Sequence, residues 1–273
     1  MEFVLLPLLL LAGLVTLFDG GGDGDDGGTK GGGDNGTAGD DTLEGTGFDT
    51  IYGFGGDDQI SLTDEAVGNG GAGDDTLTAT DDAQAYGNEG DDDLTLNNDA
   101  LGFGGDGNDE IAAFDQSVGY GLDGDDILRG SDNATVNGGI GNDTLYAFEE
   151  AAAYGGEGAD VLFADGDAVA IGGDGRDTLT GGDDARIYGG LGADVIYMDE
   201  TTTSNGLADG GWGNDRIEVS GDAVVTGGEG RDRFIADLTD TATTDGEATL
   251  DIQDFVTGED RIAVILGDRD ISD

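Results

Sequence analysis

Twelve aspartates carry the chemistry this sequence has to offer. They are Asp41, Asp58, Asp75, Asp92, Asp109, Asp126, Asp143, Asp160, Asp177, Asp194, Asp215 and Asp232, spaced 17 residues apart except for one step of 21. Each follows a glycine two residues earlier and another five residues earlier. Glycine loops turn main-chain carbonyls inward, and carboxylates add further oxygens. Such hard ligands suit calcium, which takes six to eight oxygens in flexible geometry. The chain has no His and no Cys, which removes disulfides, thiolate and imidazole metal sites, and His-based catalytic triads.

Around each aspartate runs a phrase of the form Gly-Gly-x-Gly-x-Asp-x-U-x, with U a large aliphatic or aromatic residue. Its cleanest copy is Gly172-Gly173-Asp174-Gly175-Arg176-Asp177-Thr178-Leu179-Thr180. Copies begin at Gly36, Gly53, Gly70, Gly87, Gly104, Gly121, Gly138, Gly155, Gly172, Gly189, Gly210 and Gly227. The eighth position is Leu43, Ile60, Leu77, Leu94, Ile111, Leu128, Leu145, Leu162, Leu179, Ile196, Ile217 or Phe234. The phrase resembles the hemolysin-type calcium-binding repeat of the RTX (repeats-in-toxin) family, over about three quarters of the chain.

The resemblance implies a parallel β-roll with each ion held between loops of successive coils on one edge. Carried onto this chain, the ligands are the twelve aspartates and the carbonyls of Gly70, Gly87, Gly104, Gly138, Gly155, Gly172, Gly189, Gly210 and Gly227. Only one edge keeps the loop, so the expectation is one column of about eleven Ca2+ ions. A column of bare carboxylates about 4.8 Å apart would be strongly unfavourable without cations.

The elements that position these residues follow from the rest of each repeat. Small residues recur at the fourteenth position (Ala83, Ala134, Ala185) and small or aliphatic ones at the sixteenth (Ala85, Val136, Ile187). Alternation puts positions 8, 10, 14 and 16 on one face. The expected fold is all-β, a parallel β-roll or β-solenoid of about twelve 17-residue coils, with two short parallel sheets and a thin core. The first coil is expected to retain a second nonapeptide-like loop over Glu44–Tyr52. The extra residues near Thr201–Asn205 should lengthen the turn opposite the Gly-Asp loops. Glycines at the first and fourth positions should adopt conformations closed to other residues. Position 5, which is Asp40, Asp57, Asp74 and Asp91 early but Ala159, Arg176, Ala193 and Arg231 late, should be an outward charge gradient. Position 17, with Tyr52, Tyr86, Phe103, Tyr120, Tyr154 and Tyr188, should form an aromatic ladder. Acid pairs such as Asp64-Glu65, Asp81-Asp82 and Asp183-Asp184 read as solvated turns on the far edge.

Four segments are expected. Residues 1–18 include an apolar run, Phe3 to Phe18, readable as a membrane anchor, an export signal or a packed cap. Residues 19–35 read as a Gly/Asp linker, 36–243 as the solenoid and 244–273 as a C-terminal cap, either a cap alone or one that is also part of a secretion signal. Within the cap, Ile252-Gln253-Asp254-Phe255-Val256-Thr257-Gly258-Glu259-Asp260-Arg261-Ile262 is similar to the segment closing the repeats in RTX proteins exported by type I secretion.

The net charge of −53 opposes compaction unless multivalent cations neutralise it, and it argues against nucleic acid as a partner. At about 10 mM calcium, a site with a 1 mM dissociation constant contributes roughly 1.4 kcal/mol, and that term vanishes at submicromolar cytosolic levels. The expectation is therefore a non-enzymatic, extracellular or cell-surface protein that folds on binding calcium and has a structural or adhesive role. Its partners would be calcium and either surface polysaccharide or its own copies, with membrane contact only through residues 3–18. The alternatives are a self-assembling surface-layer or filament subunit, and an ice-binding or polysaccharide-modifying solenoid. Position 9 (Thr78, Thr95, Ala112, Arg129, Tyr146, Phe163) lacks the flat threonine ladder that ice binding needs.

Overall fold

A computed structural model describes residues 29–30, 35–199, 206–221, 223–237 and 250–265. Every regular element among them is a strand, and the strands form two parallel sheets of fourteen and twelve members. Strands that leave the Gly-Asp loops, such as Thr76–Thr80 and Thr178–Gly181, build the larger exit sheet. Those of the second halves, such as Gln84–Glu89 and Val169–Gly175, build the return sheet. Neighbours in either sheet lie one coil apart, so like positions stack: Leu77 on Leu94, Leu179 on Ile196. The chain is a β-solenoid of about 11 turns, as the 17-residue period implies.

Alternation decides which residues enter the core. In the coil that starts at Gly70, Asp75, Leu77, Ala79, Ala83 and Ala85 are buried, and Asp74, Thr76 and Asp82 are exposed. The space between the sheets is shared by positions 10 and 16, which compensate for one another. Leu96 faces Gly102, Ala79 goes with Ala85, and Gly181 goes with Ile187. A methyl group on Gly102 would sit 2.6 Å from Leu96 Cδ1, and one on Gly181 would sit 2.9 Å from Ile187 Cγ1. In these coils the two positions trade volume, a large residue at one going with a small residue at the other, although the coil with Ala113 and Gly119 has small residues at both.

The far edge is a tight two-residue turn. Asp132 (φ 54°) with Asn133 (φ 70°), and Asn98 (φ 53°) with Asp99 (φ 66°), have both central residues in the left-handed region. That is the backbone signature of a type I′ turn, which Asn and Asp tolerate best. The Ala134 N–H donates to the Ser131 carbonyl at 3.1 Å and closes it. The first coil also closes here with a two-residue turn: the Asp49 N–H donates to the Thr46 carbonyl at 3.2 Å, with Gly47 (φ 63°) alone in the left-handed region, so Glu44–Tyr52 makes a tight turn and not a second loop of the Gly-Asp kind. The expected insertion, Thr201–Asn205, lies outside the described residues. The strands on either side keep register with the neighbouring coil, Asp199 paired with Ser220 and Leu207 with Arg186.

Both ends carry irregular strands. Thr29–Lys30, inside the stretch expected to be a linker, pairs with Thr42 and Leu43. The C-terminal segment adds Leu250–Ile252 to one sheet and Arg261–Ile265 to the other, as a degenerate extra coil. Asp254 accepts the N–H groups of Gly227 (2.9 Å) and Gly228 (2.7 Å), which the last regular loop would otherwise leave bare. Phe255 packs its ring 6.4 Å from that of Phe234. The apolar run Phe3–Phe18, most of the 19–35 stretch and the chain after residue 265 lie outside the described residues.

The volume rule yields a double-substitution test. Gly102→Ala should destabilise the fold by about 1–3 kcal/mol and Leu96→Ala by about 2–5 kcal/mol. The pair together recreates the Ala79/Ala85 arrangement, so denaturant unfolding should show a combined loss at least about 1 kcal/mol smaller than the sum. Simple additivity would contradict the shared-volume account.

Candidate metal centre

Each sixth-position aspartate lies where the loop becomes a strand, on the inward face that two residues later buries the aliphatic side chain. All twelve are buried, from 0% exposure at Asp177 to 6% at Asp41. One carboxylate oxygen has a defined role. Oδ1 of each aspartate accepts the N–H of its counterpart in the preceding coil, from Asp41 to Asp58 (2.7 Å) through Asp126 to Asp143 (2.9 Å) and on to Asp215 and Asp232 (3.0 Å). The cap extends this ladder by one rung, since the Asp232 N–H donates to Asp260 Oδ1 at 3.0 Å.

The second oxygen is the anomaly. Oδ2 is buried without a hydrogen-bond partner in Asp58, Asp75, Asp92, Asp109, Asp126, Asp143, Asp160, Asp177, Asp194 and Asp215. At the ends it is satisfied locally. Asp41 Oδ2 accepts the Thr37 N–H (2.6 Å) and hydroxyl (2.8 Å), and Asp260 Oδ2 accepts the Val256 N–H (2.7 Å). Thr37 and Val256 hold the equivalent place, four residues before the aspartate, so the terminal coils share one closure that the ten orphaned rungs lack.

The loop glycines divide into two kinds. Positive φ occurs at the second and fourth positions, as in Gly173 (φ 113°) and Gly175 (φ 153°), and not at the first. The expectation for the first position is thereby corrected: glycine is there for space. A Cβ on Gly172 would overlap Asp177 Oδ2 and would lie 2.5 Å from the Gly189 carbonyl oxygen of the next coil. Those two oxygens thus face one small space, and neither is a donor. A Cβ on Gly173 or Gly175 would instead overlap the carbonyl oxygen of Gly156 or Gly158 below it. Carbonyls at the second and fourth positions therefore face the following coil, and that of the first faces the preceding one. The strand ladder skips the first position, pairing Ile171 with Tyr188 and Gly173 with Gly190.

An orphaned carboxylate oxygen, flanked by carbonyls and with every Cβ excluded, fits a hard cation. Among the described residues no three acidic side chains converge on a point. A cation here would take its carboxylate oxygen from the column and the remainder from main-chain carbonyls, such as that of Gly189 beside Asp177 and that of Gly172 beside Asp160. The rest of the loop is arranged around this. Position 5, expected to be only an outward charge gradient, is exposed but forms a second ladder of opposite sense. Asp57, Asp74, Asp91, Asn108 and Asp125 each donate their N–H to Oδ1 of the residue one coil earlier, at 2.8–3.1 Å. The far-edge acids Asp64, Asp81 and Asp184 occupy turn positions with positive φ. The aromatic ladder is real but short, with Tyr86, Phe103 and Tyr120 stacked at 4.9 and 5.2 Å.

Comparison with known protein families, curated proteins and solved structures finds no match. The fold and site define the class: a parallel β-solenoid with a single internal column of aspartates.

Burial pushes these carboxyls up from their ordinary 3.8, to about 6 for Asp58, Asp75, Asp109 and Asp143. Asp92, Asp126, Asp177 and Asp215 rise to about 7. Asp160 and Asp194 are also raised by burial. The N–H bond from the coil below pulls each one down, and in most rungs neighbouring carboxylates push it further up. A raised carboxyl makes the folded state the better proton binder, so its contribution is complete below about pH 4 and is lost as pH rises through 6 to 7. The cation-free chain should therefore be more stable near pH 5 than at pH 8 in thermal unfolding. Greater stability at pH 8 without cations would contradict this assignment.

Proposed function

We propose that the chain is a non-enzymatic calcium-binding β-roll of the repeats-in-toxin kind, folding outside the cytoplasm and serving a structural or adhesive role at or beyond the cell surface. The observation that carries this reading is the set of ten buried, unpartnered Oδ2 atoms in register, each beside a first-position glycine and seven of them also beside the first-position carbonyl of the next coil. When bound, calcium supplies positive charge to carboxylates whose ionisation burial opposes. Asp58 to Asp215 provide one carboxylate per rung, and the loop glycines provide carbonyl oxygens. The terminal rungs at Asp41 and Asp260 close themselves with local N–H donors, and one site per orphaned Oδ2 gives about ten, near the eleven that the gaps between loops allow. At submicromolar calcium the column is charged and bare above pH 7, so export unfolded and folding outside follow from the same electrostatics.

A second reading, end-to-end assembly into a surface layer or filament, has its own observation. Ile262 and Val264 stand at inward positions in register with Phe234 and Ala236, yet are 51% and 55% exposed. Exposed core positions on an edge strand favour stacking of copies. Sedimentation in calcium would report it as concentration-dependent growth, and a monomer at all concentrations would remove it.

Calcium titration calorimetry at pH 8 should return about ten ions per chain. Asp143→Asn keeps the Oδ1 acceptor and deletes the charge. It should lose about one ion, lower stability in calcium and raise it in chelator. Stoichiometry near zero, or an Asp143→Asn chain less stable in both conditions, would contradict the reading.

A further inference from the structure

The chain has 9 basic side chains against 62 acidic ones, yet four arginines, Arg216, Arg231, Arg233 and Arg261, gather in the last described coils. Arg216, Arg233 and Arg261 hold the same outward position on three successive strands and pair directly, Arg216 with Arg233 and Arg233 with Arg261. Like charges placed opposite one another in a sheet are unfavourable. Arg216 resolves its own conflict: it forms an ion pair with Glu218 and lies 5.3 Å over the Tyr197 ring. Arg231, Arg233 and Arg261 make no ion pair among the described residues. They line one open pocket of about 490 Å³, with Gly258, Glu259 and the aspartates Asp232 and Asp260. The Asp260 carboxylate is already engaged, by the N–H groups of Asp232 and Val256, and Asp232 Oδ1 takes the Asp215 N–H. Glu259, the third acid of the lining, forms no ion pair with the three arginines among the described residues.

We infer that this pocket binds an oxyanion, a carboxylate or sulfate group held between the guanidinium groups of Arg231, Arg233 and Arg261. Arginine stays charged at every relevant pH and presents a planar fork that meets two oxygens of such a group at once. One anionic group converts the unfavourable stack of like charges into a bridged one. The rest of the surface is so acidic that an extended polyanion such as nucleic acid is repelled, which leaves a single anionic group, free or carried on a sparsely charged glycan. The inference depends on the fold alone and is independent of calcium in the column.

The test is calorimetric titration of the full chain at constant ionic strength, folded by its strand circular dichroism, with sodium sulfate in one arm and a glucuronate-bearing oligosaccharide in the other. Saturable one-site binding is expected in at least one arm. Binding in the sulfate arm would mark the site as one for a free anion, and binding only in the second arm as one for a glycan-borne carboxylate. Arg233→Gln and Arg261→Gln should each weaken it by about tenfold or more, while Arg176→Gln, an exposed arginine elsewhere, should leave it unchanged. Arg233→Lys, which keeps the charge but not the fork, should fall between. No saturable binding in either arm, or binding indifferent to both Gln substitutions, would overturn the inference.

Discussion

The structure depends on a hydrogen bond between a buried carboxylate and the main chain one coil below it. Each sixth-position aspartate reaches down to the N–H of its predecessor, and this link repeats from Asp41 to Asp260 without a break. It sets the rise and register of the Gly-Asp edge, where the sheet ladder itself skips a position. It also draws twelve like charges into the interior of a thin rod. The bond uses only one oxygen of each carboxylate, and the low dielectric that strengthens it makes the other oxygen costly to leave bare. Everything particular to the loop answers that conflict: the missing Cβ at the first position, the inward carbonyls, and the terminal closures by Thr37 and Val256.

The core offers little with which to override it. Its large side chains are one aliphatic or aromatic residue per coil at the eighth position, backed by Ala, Gly or a compensating Val, Ile or Leu. Hydrophobic stabilisation scales with buried apolar area, so an Ala-lined interior leaves stability sensitive to the charge state of the column. The same column that fixes the register is therefore also the point at which, under the proposed function, proton or cation concentration would act on folding.

Much of this was legible in the sequence, because a solenoid repeats its instructions. The period gave the coil, and alternation placed Leu77, Ala79, Ala83 and Ala85 inside. What escaped were interactions between coils, which a single repeat does not display. Gly172 looks like a conformational glycine, and only the stacked neighbour shows that it makes room for Asp177 and the Gly189 carbonyl. The near-exclusive use of Asp or Asn from Asp40 to Asn142 was the available signal for the second ladder, read instead as surface charge. The two cap aspartates, Asp254 and Asp260, sat in a recognised segment. Their tasks, covering the bare N–H groups of Gly227 and Gly228 and extending the column, needed the structure. So did the arginine stack, whose members are 17 and 28 residues apart in the chain but in direct register.

The central claim is that the interior carboxylate column cannot be both ionised and unneutralised in the folded chain. Far-ultraviolet circular dichroism of the full chain at pH 8, first in chelator and then in about 10 mM calcium, tests it most directly. The account predicts a largely disordered spectrum in chelator and a cooperative gain of strand signal as calcium is added. A complete strand spectrum in chelator at pH 8, unchanged by calcium, would contradict it.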